Sequence, residues 1–153
     1  MSEHESKNRP RLAYAVAFLE RSLRRALAEA LRPFELSLAQ YTVLSLLGMH
    51  ESLSNAQLAR RAYVTPQAMS EIVRYLESRK LVVRKQSPDH ARIHPARLTA
   101  KGRTTLDKCD AAVDRVEQRM IDDAGPQGDD DLVRMLMSYA RVLETGGRSA
   151  STQ

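Results

Sequence analysis

The chain has 153 residues, 42% apolar and 28% charged, with a formal net charge of +5 and a single cysteine, Cys109. That size and balance fit one globular domain with a buried core and exclude a disordered or collagen-like polymer. No apolar run approaches the roughly 18 residues of a membrane helix, residues 1–10 are too polar for a signal peptide, and Cys109 has no internal disulfide partner, so a cytoplasmic protein without a membrane partner is expected.

Elements follow from periodicity. Leu12, Val16, Leu19, Leu23, Leu27 and Ala30 trace one face of a helix over residues 11–31, whose other face is rich in arginine. Pro33 ends it. Ser37 caps a second helix that is too apolar all round to face water, with Leu38, Tyr41, Val43, Leu44, Leu46 and Leu47. Ser54 caps a short third helix, and Thr65 caps a fourth with Pro66 at its first position. In that fourth helix Met69, Ile72, Val73 and Leu76 form a core stripe, while Gln67, Ser70, Glu71, Arg74 and Ser78 form a polar one. Two helices joined by a short turn, the second polar on its outside, predict a helix-turn-helix.

Residues 81–85 and 93–98, separated by a turn at Ser87, Pro88 and Asp89, predict a β-hairpin; Pro95 in the second strand points to an edge position or a bulge. Thr99 caps a long helix over residues 100–124, with Leu106, Cys109, Val113, Val116 and Met120 at near-heptad spacing. Gly125 and Pro126 break it. Asp129, Asp130 and Asp131 open a last helix with the stripe Leu132, Leu136, Tyr139 and Leu143, and a disordered tail is expected over residues 145–153.

Charge is concentrated. Residues 54–101 carry ten Lys or Arg against three Asp or Glu, a local +7 inside a remainder of −2. This is the footprint of a nucleic-acid-binding module. A solvated basic face is the alternative reading of charge alone.

The order of elements resembles the MarR family of bacterial transcriptional regulators. The segment Thr65-Pro66-Gln67-Ala68-Met69-Ser70, followed by Leu76-Glu77 and Leu81-Val82-Val83-Arg84, resembles that family's recognition helix leading into its wing. Ser87 to Arg92, then Leu98-Thr99-Ala100-Lys101-Gly102, is similar to its wing and the exit into the dimerisation helix. The resemblance implies a mainly α fold with a small β-hairpin wing: a winged helix-turn-helix domain plus N- and C-terminal dimerisation helices. It implies a single regulator domain over residues 11–144, with a DNA-binding lobe at about 37–99 and dimerisation helices at about 11–32 and 100–144, between a flexible tail (1–10) and a disordered one (145–153). There are two departures. His90 stands where the family usually has an Asp two residues before Arg92, with Asp89 beside it, and Lys80 stands where a Gly is common after the recognition helix. In left-handed geometry that Lys costs on the order of 1 kcal/mol relative to Gly.

Function follows from the same residues. In a major groove, Gln67 suits adenine, Ser70 several base edges, Arg74 a guanine or a phosphate, and Glu71 a cytosine or Arg74 itself. Thr65 opens a helix N-terminus whose amides suit a phosphate, and Ser54 heads the preceding helix beside it. Arg84, Lys85 and Arg92 are the hairpin's phosphate or minor-groove candidates, and Arg97 is either a contact or a solvated charge. One copy reads too few bases, so a homodimer on a pseudo-palindromic double-stranded operator is expected, with half-sites about 10 base pairs apart. The resemblance implies release by a small aromatic or phenolic effector, for which Tyr14, Phe18, Met49 and His50 are the lining candidates, unless they simply pack the core. Cys109 reads as a buried, inert thiol.

No nucleophile motif or glycine-rich phosphate loop accompanies the four histidines, so neither an enzyme nor a cofactor is expected. Two alternatives stay open. His90 and His94 with Asp89 would make a weak metal site in a metal-responsive regulator, and a winged helix can also be a protein-interaction module. Protonation of His90 and His94 would strengthen wing contacts with DNA, so affinity would fall between pH about 5 and 8.

Overall fold

The computed structural model describes residues 10–84, 94–124 and 129–146. In chain order the elements are α1 (Leu12–Leu31), a 3-10 turn (Arg32–Phe34), α2 (Leu38–Met49), α3 (Asn55–Arg61), α4 (Pro66–Ser78), β1 (Val82–Arg84), β2 (Ala96–Leu98), α5 (Ala100–Ala124) and α6 (Asp129–Gly146). The described residues fall into two compact units, one up to Val113 and one from Asp114.

Helix starts in the first unit are set by side-chain caps. Ser37 and Gln40 form a reciprocal capping box at α2, with the Gln40 amide donating to Ser37 Oγ at 3.2 Å and the Ser37 amide to Gln40 Oε1 at 2.9 Å. Ser54 and Gln57 repeat it at α3, at 3.2 and 2.8 Å. Each box satisfies two amides that the first turn leaves without partners. The core these helices enclose is apolar throughout: Leu31, Val43, Leu44, Leu47, Leu58, Met69, Val73, Leu76 and Leu81 are almost wholly buried. Tyr41 Oη donates to Asp110 Oδ1 at 2.8 Å and ties α2 to α5.

Among the described residues, Leu81, His94 and Pro95 of the strands expected at 81–85 and 93–98 lie outside the observed ones. β1 and β2 pair antiparallel with Val82 opposite Leu98 and Arg84 opposite Ala96. Pro95 lies before the first paired residue rather than inside the strand. Nor is β2 an edge, since Leu53 pairs with Ala96 on its other side through N–H···O bonds of 3.0 and 2.8 Å. A proline cannot donate to a ladder, so the ladder starts after it.

α4 ends in a tightly bound junction. Lys80 is left-handed at φ 59°, and the amides of Lys80 and Leu81 turn back to Glu77 O (2.8 Å) and Leu76 O (2.9 Å), the double closure that usually selects glycine at the left-handed position. The start of α5 closes on that junction. Thr99 Oγ1 donates to Lys80 O at 2.7 Å and accepts from the Gly102 amide at 2.9 Å, Thr99 N–H donates to Leu81 O at 3.1 Å, and Lys101 Nζ donates to Arg79 O at 2.9 Å.

In the second unit, α6 extends through Thr145 and Gly146, two residues into the tail expected to be disordered; residues 147–153 lie outside the described residues. Val133, Met135, Met137, Val142 and Leu143 of α6 are each more than half exposed.

A Cβ on Gly102 would lie 1.9 Å from the Leu81 carbonyl oxygen, so Gly102→Ala must shift the backbone and is expected to cost about 2 kcal/mol. Lys80→Gly relieves the left-handed strain and is expected to stabilise by about 1 kcal/mol. Urea unfolding of both variants checks this; coincident midpoints would show that the junction carries neither constraint.

Candidate nucleic-acid interface

α3 and α4 are joined by the turn Ala62, Tyr63 and Val64, in which Tyr63 is left-handed at φ 54° and the Val64 amide bonds Ala59 O at 3.0 Å. Asn55 Nδ2 donates to Pro66 O at 3.0 Å and locks the two helix starts together. Met69, Val73 and Leu76 bury the inner face of α4. The outer face stays in solvent, because its residues lie on the far side of a 3.6-residue turn.

On that face Gln67, Glu71 and Arg74 are exposed, and their side chains make no hydrogen bond or ion pair with other described residues. The alternative role for Glu71, orienting Arg74, is therefore absent. Ser70 Oγ donates to Pro66 O at 2.9 Å; with its proton used within the helix, it offers a base edge only lone pairs, narrower than the sequence suggested. Ser54 and Thr65 are cap residues: Thr65 Oγ1 accepts from Ala68 N–H at 3.1 Å. Pro66 has no amide hydrogen and the Ala68 amide is taken by Thr65 Oγ1, so the start of α4 leaves the Thr65 and Gln67 amides for a phosphate.

Arg84 is engaged rather than free. Its Nε and Nη2 reach Glu77 Oε2 at 3.0 and 2.9 Å, and both side chains are about one-third exposed. It tethers β1 to α4, a structural tie beside the phosphate contact expected of it. The acid and arginine, seven residues apart across a helix–strand junction, were the available signal. Lys85 and Arg92 lie outside the described residues, as do Asp89 and His90. His94 is exposed, and among the described residues no group of three His, Cys, Asp or Glu could hold a metal ion.

The effector candidates separate. Tyr14 and Phe18 stack with ring centroids 6.4 Å apart on the surface of α1, and Met49 is 71% exposed. These three do not pack the core of the described chain. His50, with Nδ1 2.8 Å from Leu46 O, lines a cleft of about 390 Å³ together with Leu47, Glu51, Val83, Arg97, Leu98, Thr99 and Arg103. Arg97, given no firm role by the sequence, thus faces a cleft. A wider, shallower hollow of about 580 Å³ lies over the end of α1 and the start of α2 and includes Tyr75.

Residues 34–93 match the family model described as the MarR family. Over 110 residues the chain is 37% identical to the HTH-type transcriptional repressor Rv2887 of Mycobacterium tuberculosis, spanning 72% of this chain and 79% of that one; solved structures describe Rv2887 as a MarR family protein. The chain belongs to the MarR family. Among solved MarR-family structures, Rv2887 in complex with p-aminosalicylic acid superposes with a TM-score of 0.70 at 34% identity, covering 86% of this chain and 99% of that one. The transcriptional repressor CouR bound to a 23-mer DNA duplex superposes with a TM-score of 0.80 at 30% identity, covering 85% and 92%. The winged-helix fold expected from the sequence is thereby established, and the chain sits in a family of transcriptional regulators rather than of enzymes.

Cys109 is fully buried on α5, and desolvation, followed by the Asp110 charge, pushes its thiol up to about 11. Because the thiolate is the nucleophile, the native protein is expected to resist thiol-labelling reagents at pH 8 and to react fully once unfolded. Rapid labelling of the folded protein would contradict this burial.

Proposed function

We propose that this MarR-family chain is a homodimeric, cytoplasmic transcriptional repressor that binds a pseudo-palindromic double-stranded operator and is released by a small aromatic acid. The observation that carries it is the outer stripe of α4, where Gln67, Glu71 and Arg74 stand exposed, with no side-chain partner among the described residues, on a helix whose inner face is buried and whose two ends are clamped. A major groove admits such a helix, and bidentate Gln and Arg contacts suit adenine and guanine. The basic lobe at about residues 37–99 supplies the phosphate-directed charge, with Lys85 and Arg92 assigned to the wing. The duplex bound by CouR supports DNA as the partner.

Dimerisation is supported by exposed apolar side chains in each unit, Leu12, Tyr14 and Phe18 on α1 and, separately, Leu143 on α6, all more than half exposed. Exposed apolar surface of this kind suits an interface. A dimer also doubles the bases read.

The His50 cleft fits an aromatic acid. Leu47, Val83 and Leu98 offer apolar walls, and Arg97 and Arg103 offer cations at its rim. The p-aminosalicylic acid complex of Rv2887 supports this ligand class.

Selection of tight binders from random duplexes is expected to return a palindrome with half-sites about 10 base pairs apart. Gln67→Ala and Arg74→Ala are each expected to weaken operator binding by about 1–3 kcal/mol and to relax preference at one base position. Salicylate is expected to release the operator, with Arg97→Ala needing roughly tenfold more ligand. Outer-face variants that bind like the parent protein would overturn the assignment of α4.

A further inference from the structure

The last turn of α4 is fastened on two sides, and only one of them belongs to the wing. On the flank away from β1, Tyr75 Oη donates to Glu35 O at 3.0 Å. Arg79 Nη1 donates to the same carbonyl at 3.3 Å and to Tyr75 Oη at 2.8 Å, and its Nη2 reaches Phe34 O at 3.5 Å and Glu35 Oε2 at 3.2 Å. The guanidinium carbon also sits 5.8 Å from the centre of the Tyr75 ring. These acceptors lie in the linker between α1 and α2, some forty residues earlier in the chain. The linker is itself held in an uncommon shape: Glu35 is left-handed at φ 55°, with its amide on Arg32 O at 3.0 Å.

A planar guanidinium fork on two adjacent carbonyls fixes direction as well as distance, which an ammonium cannot do. The Arg79 side chain is only 29% exposed, against 78% for Glu35, so the carbonyl bonds and the stack outweigh the screened ion pair. At about 100° per residue, Arg79 lies about 120° around α4 from Gln67, off the stripe assigned to DNA. We propose that Arg79 and Tyr75 are positioning residues that set the tilt of α4 against the end of α1, so that operator discrimination depends on them although neither touches a base. This rests on the DNA-binding reading above.

The test uses two charge-conserving variants of the full chain, Tyr75→Phe and Arg79→Lys, with Arg79→Gln as a third. Each protein is titrated with the selected operator and with a scrambled duplex across a salt series, and its amide exchange is followed by mass spectrometry. The first two variants are expected to lose about tenfold in operator affinity while keeping the parent's scrambled-duplex affinity and salt slope, because the charge is unchanged. Their amide exchange is expected to quicken at residues 34–36 and 75–80. Parent-like operator affinity in Tyr75→Phe, with or without faster exchange, would overturn the proposal. So would full rescue by Arg79→Lys of a defect in Arg79→Gln that weakens both duplexes alike, since Arg79 would then be a phosphate contact. A parent protein with no preferred sequence would sink the functional reading instead, and the proposal with it.

Discussion

What α4 presents to the outside depends on the contact between the Leu81 carbonyl and the start of α5. Gly102 lets that oxygen come closer than any side chain would permit, and Thr99 bridges the Lys80 carbonyl and the Gly102 amide around it. The consequence is geometric: the end of the recognition helix, the first strand of the hairpin and the first turn of α5 meet at one point. A chain that builds this junction from Lys80 rather than glycine accepts backbone strain there. The bonds to Thr99 and Leu76 over-determine the conformation and hold it.

The arginines of the basic region divide by whether they already have partners. Arg84 is held by Glu77, and Arg79 by the carbonyls of Phe34 and Glu35. Each keeps donors beyond those bonds, Arg84 on Nη1 and Arg79 on Nε, so a phosphate would compete with partners already in place rather than meet an unengaged side chain. Arg74 has no such partner among the described residues. Net charge over residues 54–101 therefore does not by itself separate the cations open to DNA from those that give the module stiffness. A stiff helix with a free polar face reads sequence better than a mobile one, because its donors are placed before the groove arrives.

Much of this was legible in the sequence, for identifiable reasons. Ser37, Ser54, Thr65 and Pro66 are local signals whose chemistry needs no partner far along the chain, and all four mark helix starts in the structure. Lys80 was legible as a strained position through the family resemblance, since it stands where a glycine is common after the recognition helix. What the sequence hid was long-range. Leu53 pairing with Ala96, Tyr75 reaching Glu35, and Arg84 turning back to Glu77 each join segments that no periodicity connects. The alternative that Tyr14 and Phe18 pack the core fell for a related reason: they have the spacing of a core face, yet both are more than half exposed. Apolar periodicity says that a face will be buried, not by what.

The most direct test of this account is a crystal structure of the dimer on a selected operator half-site pair. The expected result places α4 in the major groove with Gln67 and Arg74 on base edges, Arg84 still on Glu77, and Arg79 still on the carbonyls of Phe34 and Glu35. A complex in which α4 lies outside the groove, or in which Arg79 and Arg84 leave those partners for phosphates, would contradict it.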